Sequence, residues 1–241
     1  MVSSSAYSSA ANNNEPDKSQ RPQAAKLHQS SVGKKLLTSI TGLALVTFVI
    51  VHMLGNLTLL YSATAYNQLA RLIDSCGPLL YVVEAVLLLS VCVHIAIGIS
   101  IQVRKRQARE ADYALLTSAG APSRQTLSSR TMIISGLLLG LFLIHHLATF
   151  KFAAGYRLAG SNERDLARLV FETFQSPIYT AGYVLVLSAL GLHLRHGLWS
   201  ALQSLGIATK PRMFAASAVL GSAIALGFIG LPLAIYFGLV G

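Results

Sequence analysis

The chain has 241 residues, of which 53% are hydrophobic and only 12% are charged. A soluble domain carries about 25% charged residues, so a soluble helical bundle is excluded. The net charge of +10 would by itself suggest nucleic-acid binding. The basic residues cluster beside apolar segments, however, where membrane topology places them. The composition therefore indicates a membrane protein and no nucleic-acid partner.

Residues 1–30 are rich in Ser, Asn, Gln and Ala and are predicted to be a disordered polar tail without a secretory signal. Five long apolar segments follow in residues 31–241, and each has roughly the 20 residues that a helix needs to cross a bilayer. Because the backbone must satisfy its own hydrogen bonds in lipid, all five are predicted to be transmembrane helices. These spans, numbered I to V, cover residues 36–61, 78–103, 131–150, 178–204, and 213 to the C-terminus.

The basic residues predict the orientation of the chain. Thirteen Lys and Arg residues lie in the N-terminal segment and in the II–III and IV–V connections, against five on the opposite side. The positive-inside rule places the side with thirteen in the cytoplasm. The N-terminus is thus predicted to be cytoplasmic and the C-terminus to be outside.

Spans I and II resemble spans III and IV. Spans I and III each contain a hydroxyl residue followed directly by glycine and leucine. In both spans a histidine lies ten positions after that glycine. In II and IV, a proline precedes a histidine by 16 positions and a glycine follows it by four. The matched residues are Gly42 and His52 with Gly136 and His146, and Pro78, His94 and Gly98 with Pro177, His193 and Gly197. The pattern predicts a duplicated helical hairpin, whose halves face each other across an axis along the membrane normal.

Four histidines therefore recur at matched positions inside the membrane, where ionisable residues are rare and usually functional. The helical rise of about 1.5 Å per residue places His52 and His146 near the outer side, and His94 and His193 nearer the cytoplasm. In an up-and-down four-helix bundle, I and III are diagonal neighbours, as are II and IV. Their separation of roughly 12–14 Å suits an imidazole–iron–imidazole sandwich, whereas zinc requires four ligands at one point. The sequence thus predicts two b-type haems, an outer one on His52 and His146 and an inner one on His94 and His193.

Other residues have open assignments. His145 is expected to be a hydrogen-bond partner, with the adjacent His146 as the ligand. His196 could contact a haem propionate, contact a quinone, or bond another helix. Ser39 and Arg130 are candidate propionate partners, together with Thr38 and Arg71. The four matched glycines could make room for a flat macrocycle or permit close helix packing.

Several motifs resemble one known family. They are S-x-G-K-K, T-G-L followed ten residues on by H-M-L-G-N, G-P-L-L-Y-V-V-E, and H-L-x-H-G-L-W-S-A-L-Q. Over about residues 30–241 the chain is similar to the five-helix, di-haem cytochrome b subunit of succinate dehydrogenases and fumarate reductases, the membrane anchor of complex II. The family's haem ligands match the four histidines that the repeat selects.

The resemblance implies a bacterial cytoplasmic membrane protein. Its partners would be a flavoprotein carrying FAD and an iron–sulfur protein, both on the cytoplasmic face, and its electrons would pass to or from a membrane quinone such as menaquinone. A higher oligomer of that complex is left open. In some relatives an acidic residue lies two positions before the ligand in the fourth helix. Here that position is Gly191.

Two haems stacked across the bilayer would carry electrons to its outer half, so a quinone site is expected near the outer haem. Quinone chemistry moves protons, and Glu84 and Asp74 are the acids at a suitable depth. Asp74 could equally be a solvated loop acid, and Glu84 could instead be neutral and hydrogen-bonded within the bundle. One alternative function is a di-haem anchor of another quinone-linked enzyme, such as a formate dehydrogenase or a hydrogenase. Another is a haem-free proton-coupled transporter that uses histidine, Glu84 and Arg195 as a relay.

Overall fold

The computed structural model describes residues 30–107, 127–153, 155–161, 163–207 and 210–240. These ranges are helical and contain no strand, apart from one antiparallel bridge between Arg157 and Arg164. The predicted all-α fold is therefore confirmed, whereas the predicted tail lies outside the described residues except for Ser30. The helices are α1 (Ser31–Leu57), α2 (Ala63–Asp74), α3 (Pro78–Gln107), α4 (Leu127–Arg130), α5 (Met132–His146), α6 (Leu166–Gln175), α7 (Pro177–Ser204) and α8 (Pro211–Tyr236).

Five of these helices, α1, α3, α5, α7 and α8, are long and apolar enough to cross a membrane, and they correspond to spans I to V. Helix α1 begins five residues before the predicted span because Ser30 caps it, its Oγ accepting a hydrogen bond of 2.9 Å from the Gly33 amide. Helix α5 continues into a single π-helical turn over Leu147–Lys151. The chain is thus a multi-pass membrane protein, with span boundaries set by local capping and turn geometry.

Four of the long helices form the predicted square bundle. Helix α1 packs between α3 and α7. Helix α5 packs against α7 and makes only a few contacts with α3. Helices α1 and α5 are therefore diagonal to each other, as are α3 and α7. Helix α8 lies outside the square against α7 and α1. All of Pro78–Gln107 is described and none of it is buried, so α3 is the helix most exposed to lipid.

One end of the bundle is covered by the short helices α2 and α6, which pack against each other. We call this region the α2/α6 cap. Asn67 of α2 is only 5% exposed and joins the two helices, since its Nδ2 donates to Asp165 Oδ1 at 2.9 Å and its Oδ1 accepts from the Ala167 amide at 3.0 Å. Nearby, burial raises the pKa of Tyr66 to about 12. The cap is therefore held by buried polar contacts as well as by apolar packing.

Replacing Asn67 with alanine is expected to destabilise the cap. The change leaves the buried Ala167 amide without its partner, at a cost of about 1–3 kcal/mol. It also removes one of the hydrogen bonds that Asp165 Oδ1 accepts, while the Arg168 amide still donates to that oxygen. Thermal unfolding of the purified chain in detergent measures the effect. The adjacent Gln68 is exposed, so Gln68→Ala is the matched control. Equal midpoints for the two variants would show that the Asn67 contacts add no stability.

Close contact between α7 and α8 depends on glycine. A Cβ atom built on Gly221 would lie 2.9 Å from the backbone nitrogen of Arg195, and one on Gly191 would lie 2.9 Å from Ala225 Cβ. Small residues of this kind let two membrane helices approach closely. At Gly191, helix α8 therefore occupies the space that a longer side chain would need.

Candidate functional site

The structure brings the four repeated histidines together as two pairs on the diagonals of the bundle. The ring centroids of His52 and His146 are 5.8 Å apart, close to the cap, and those of His94 and His193 are 6.4 Å apart. We call these the capped pair and the central pair. The predicted pairing of His52 with His146 and of His94 with His193 is thus the pairing observed.

The two pairs lie at different depths. Tyr183 of α7 contacts His146 and precedes His193 by ten residues in the same helix. At about 1.5 Å per residue, the two levels are roughly 15 Å apart along α7. Two separate sites are therefore stacked along the bundle.

In the central pair, His94 of α3 is held by residues of α1. Its Nδ1 lies 3.2 Å from the Thr38 carbonyl oxygen and 3.3 Å from Thr41 Oγ1. A carbonyl only accepts, and the Thr41 hydroxyl already donates to the Leu37 carbonyl at 2.8 Å. Both contacts therefore require Nδ1 to be the donor, which leaves the lone pair of the neutral imidazole on Nε2.

His193 of α7 has the same support from α5. Its Nδ1 is 3.1 Å from Ser135 Oγ, and that hydroxyl donates to the Thr131 carbonyl at 3.0 Å. Ser135 must then accept from the imidazole, so Nε2 of His193 also carries the free lone pair. Ser135 and Gly136 occupy the repeat positions of Thr41 and Gly42. Equivalent residues of the two hairpins thus make equivalent contacts.

The capped pair is supported differently. Nδ1 of His146 shares a hydrogen bond of 3.2 Å with the Tyr183 hydroxyl. At His52 the contact is weaker, since Nε2 lies 3.4 Å from Nδ2 of Asn56, whose Oδ1 accepts from the Tyr66 hydroxyl at 3.2 Å. Four aromatic rings with centroids within 6 Å of these imidazoles enclose the pair: Phe48, Phe142, Phe150 and Phe228.

His145 and His196 lie apart from the pairs. His145 is exposed and stacks on Tyr179, with the ring centroids 5.6 Å apart, so it turns away from His52. In the part of the chain that the structure describes, Nδ1 of His196 and Nε of Arg195 are buried without a hydrogen-bond partner, and the Arg195 guanidinium lies 5.8 Å from the Phe214 ring. The structure therefore gives His145 a stacking contact where a hydrogen bond was expected.

The two predicted acids are separate from each other. Glu84 of α3 forms an ion pair with Lys151 in the π-helical turn. Asp74 is exposed at the last residue of α2. Glu84 lies ten residues from His94 towards the cap, whereas Arg195 lies beyond His193 in the opposite direction. Glu84 and Arg195 are thus at different levels of the bundle, and the structure does not bring them into one relay.

The expected propionate partners are placed as follows. Ser39 is buried, and its hydroxyl donates to the Lys35 carbonyl at 2.8 Å. Arg130 is exposed at the end of α4. Arg71 forms an ion pair of 2.5 Å with Glu163 in the cap, and the carbonyl of Thr38 contacts His94. Thr38 therefore touches a paired histidine, through its backbone carbonyl.

The matched glycines divide into two kinds. A Cβ atom on Gly42 would lie 3.1 Å from His94 Cε1, and one on Gly136 would lie 3.3 Å from His193 Cε1. Among the described residues, a Cβ atom built on Gly98 would meet no atom of another part of the chain within 4 Å, and one on Gly197 would meet Met132 Cε at 3.9 Å. Gly42 and Gly136 thus leave room for the imidazole of the central histidine of their own hairpin. Gly98 and Gly197 are not in close contact with a histidine.

Each pair can hold one metal ion between two imidazoles. A metal–imidazole nitrogen bond of about 2.0–2.1 Å places the centroids of two opposed imidazole rings roughly 6 Å apart. The separations of 5.8 and 6.4 Å match that spacing. Within the described ranges, no group of three or more His, Cys, Asp or Glu side chains converges on one point. Each level therefore brings together two imidazoles, one from each hairpin.

Sequence reasoning missed the residues that support the ligands. Thr41 and Ser135 were noted as markers of the repeat, yet their hydroxyls are the atoms that orient His94 and His193. Their recurrence at one register of the repeat was the available signal. Tyr183, Asn56 and Lys151 carry no such signal, because their contacts depend on how separate helices meet.

Comparison with protein-family models, with curated proteins and with solved structures found no match. The function of the chain therefore rests on its own residues and on the geometry described above.

Proposed function

We propose that the chain is the di-haem cytochrome b membrane subunit of a succinate:quinone oxidoreductase. In this role it passes electrons between an iron–sulfur subunit and a membrane quinone. The observation that carries the proposal is the pair of diagonal histidine couples, each spaced for one iron. A bound haem supplies an iron that gains and loses one electron at a time. His52 and His146 would hold one haem, and His94 and His193 the other.

The environment of the histidines fits haem ligation. A metal-bound histidine usually donates its second ring N–H to a protein oxygen, which fixes the tautomer and the ring orientation. His94 and His193 meet that requirement through Thr38, Thr41 and Ser135. The aromatic rings around the capped pair supply the apolar surroundings that a macrocycle needs.

The distribution of charge supports the proposed orientation. Lys34 and Lys35 begin α1, Arg104, Lys105 and Arg106 end α3, and Arg212 begins α8, all at the end of the bundle opposite the cap. The positive-inside rule makes this end cytoplasmic, in a bacterial cytoplasmic membrane. The flavoprotein and the iron–sulfur protein would dock there. The central pair would be the first to exchange electrons with them, and the capped pair would serve a quinone in the outer half of the bilayer.

The test combines a haem count with a choice of electron donor. The purified chain is expected to give two haems b per chain in a pyridine haemochrome assay. In native membranes, succinate is expected to reduce these haems, and deletion of the chain should abolish the response. One haem or none per chain would overturn the proposal. Reduction by formate or hydrogen in place of succinate would assign the chain to another quinone-linked enzyme.

A further inference from the structure

Arg195 is an arginine inside a membrane-spanning helix. It lies nine residues before the end of α7 at Ser204, within a span long and apolar enough to cross a membrane. In the part of the chain that the structure describes, its Nε is buried without a hydrogen-bond partner, and the ion pairs involve other residues. A charged side chain in a membrane span is costly and is almost always paired. A partner anion is therefore expected for this guanidinium.

The acids of the described ranges are all at the other end of the bundle. They lie in the α2/α6 cap, in the connection before α6, or in the first two turns of α3, and they are Asp74, Glu84, Glu163, Asp165 and Glu172. No Asp or Glu follows Glu172 in the sequence, so α7 and α8 contain none. The anion that would balance Arg195 is therefore not one of the described acids.

Arg195 faces α8 and not the histidine pairs. It follows His193 by two residues, which turns it by about 200° around the helix axis. A Cβ atom on Gly221 of α8 would lie 2.9 Å from its backbone nitrogen, and its guanidinium carbon is 5.8 Å from the centroid of the Phe214 ring. Because α8 lies outside the square of helices, the guanidinium is on the side of α7 away from His193. A haem propionate near the central pair is thus not the expected partner.

The guanidinium is level with the start of α8. Phe214 is the fourth residue of α8, and its ring also contacts Trp199, one turn beyond Arg195, with the centroids 5.7 Å apart. The apolar stem of an arginine lets its charged group reach the membrane interface from a deeper backbone position, and tryptophan is enriched at that interface. Arg212 is exposed in the same first turn of α8. These side chains are thus at the level of the lipid headgroups.

We propose that Arg195 and Arg212 bind the phosphate of an anionic phospholipid, in the leaflet that the proposed orientation makes cytoplasmic. A guanidinium group donates two parallel hydrogen bonds to phosphate oxygens, and basic residues clustered at this membrane face attract anionic lipids. Exposed apolar side chains of α8, such as Val219 and Leu226, would meet the acyl chains. A zwitterionic lipid is disfavoured, because its headgroup brings an ammonium group close to two guanidinium groups. Such a site requires neither haem nor a succinate-linked partner.

Photolabelling of the full chain in phosphatidylcholine nanodiscs tests the site without changing a residue. The probe is a phosphatidylglycerol with a diazirine on its headgroup, and mass spectrometry is expected to find the label within 195–215. Excess unlabelled phosphatidylglycerol should prevent that labelling, whereas inorganic phosphate should not. Label confined to 31–36 or to 102–107 would overturn the proposal. Competition by inorganic phosphate would identify a site for a free anion and would also overturn the lipid assignment.

Variants separate a specific site from general attraction to the basic end of the bundle. In native mass spectrometry, Arg195→Gln is expected to weaken phosphatidylglycerol binding roughly tenfold and to leave phosphatidylcholine binding unchanged. Arg195→Lys keeps the charge and loses the two-point contact, so a smaller loss is expected. Arg106→Gln is the matched control, because Arg106 is an exposed arginine at the same end, on the helix diagonal to α7. Equal losses in Arg195→Gln and Arg106→Gln would overturn the site, as would unchanged binding in Arg195→Gln.

Discussion

Replacing His52 or His146 by alanine is expected to remove one haem from each chain and leave the other in place. His94→Ala and His193→Ala are expected to remove the second haem and spare the first. Under the proposed function each iron would be held by one histidine from each hairpin, so loss of either histidine would remove one of its two protein ligands. The measurement is the haem content of each purified variant, together with the reduced visible spectrum that distinguishes the two haems.

His145→Ala is the matched control for this series, because His145 adjoins His146 but faces Tyr179. It should retain both haems. If His145→Ala lost the outer haem and His146→Ala kept it, the ligand assignment would be wrong. Thr41→Val removes the hydroxyl that supports His94 and keeps the histidine itself. The affinity for the inner haem is expected to fall 10- to 100-fold. Thr47→Val, at an exposed threonine of the same helix, should leave it unchanged.

Gly221→Ala is expected to destabilise the chain by about 1–3 kcal/mol, the usual cost of overpacking. The added methyl group would lie 2.9 Å from the Arg195 backbone nitrogen and 3.2 Å from the Leu194 carbonyl carbon. Backbone atoms of a packed helix cannot move aside as the end of a side chain can. The helix propensity of alanine offsets at most about 1 kcal/mol of this cost. Thermal unfolding in detergent should therefore show a lower midpoint for the variant.

Two other glycines of α8 serve as controls for that measurement. In the described part of the chain, a Cβ atom built on Gly230 would meet no atom outside its own helical turn within 4 Å, so Gly230→Ala should be neutral or slightly stabilising. At Gly227 the nearest atom is the sulfur of Met53, at the flexible end of its side chain, and an intermediate effect is expected. If all three substitutions changed the midpoint equally, the close approach of α8 to α7 would not be the cause.

The sequence was enough to predict the five spans and the pairing of the histidines. Both follow from long apolar runs and from a repeat whose spacing is exact at His52 and His146. Span ends were less predictable, because α1 starts at the cap formed by Ser30 and α5 continues as a π-helical turn up to Lys151. Such features depend on a single hydrogen bond or on one extra residue in a turn, which hydropathy does not register.

The contacts around the paired histidines were beyond prediction for another reason. Glu84 was considered as an isolated acid, whereas the structure pairs it with Lys151, 67 positions later in the chain. No spacing rule connects residues whose proximity is created by the packing of separate helices. Thr41 and Ser135 are the exception, since the repeat had already marked both positions.

Each hairpin supplies the support for its own central histidine, with Thr41 of α1 holding His94 of α3 and Ser135 of α5 holding His193 of α7. Each histidine pair, in contrast, takes one imidazole from each hairpin. A single hairpin is therefore half of both sites, and two identical copies related by a twofold axis would complete them. Under the proposed function, a homodimer of two-helix chains would already bind both cofactors. Fusion of two such chains would add a tether and would free each half to diverge, as Thr41 and Ser135 have done.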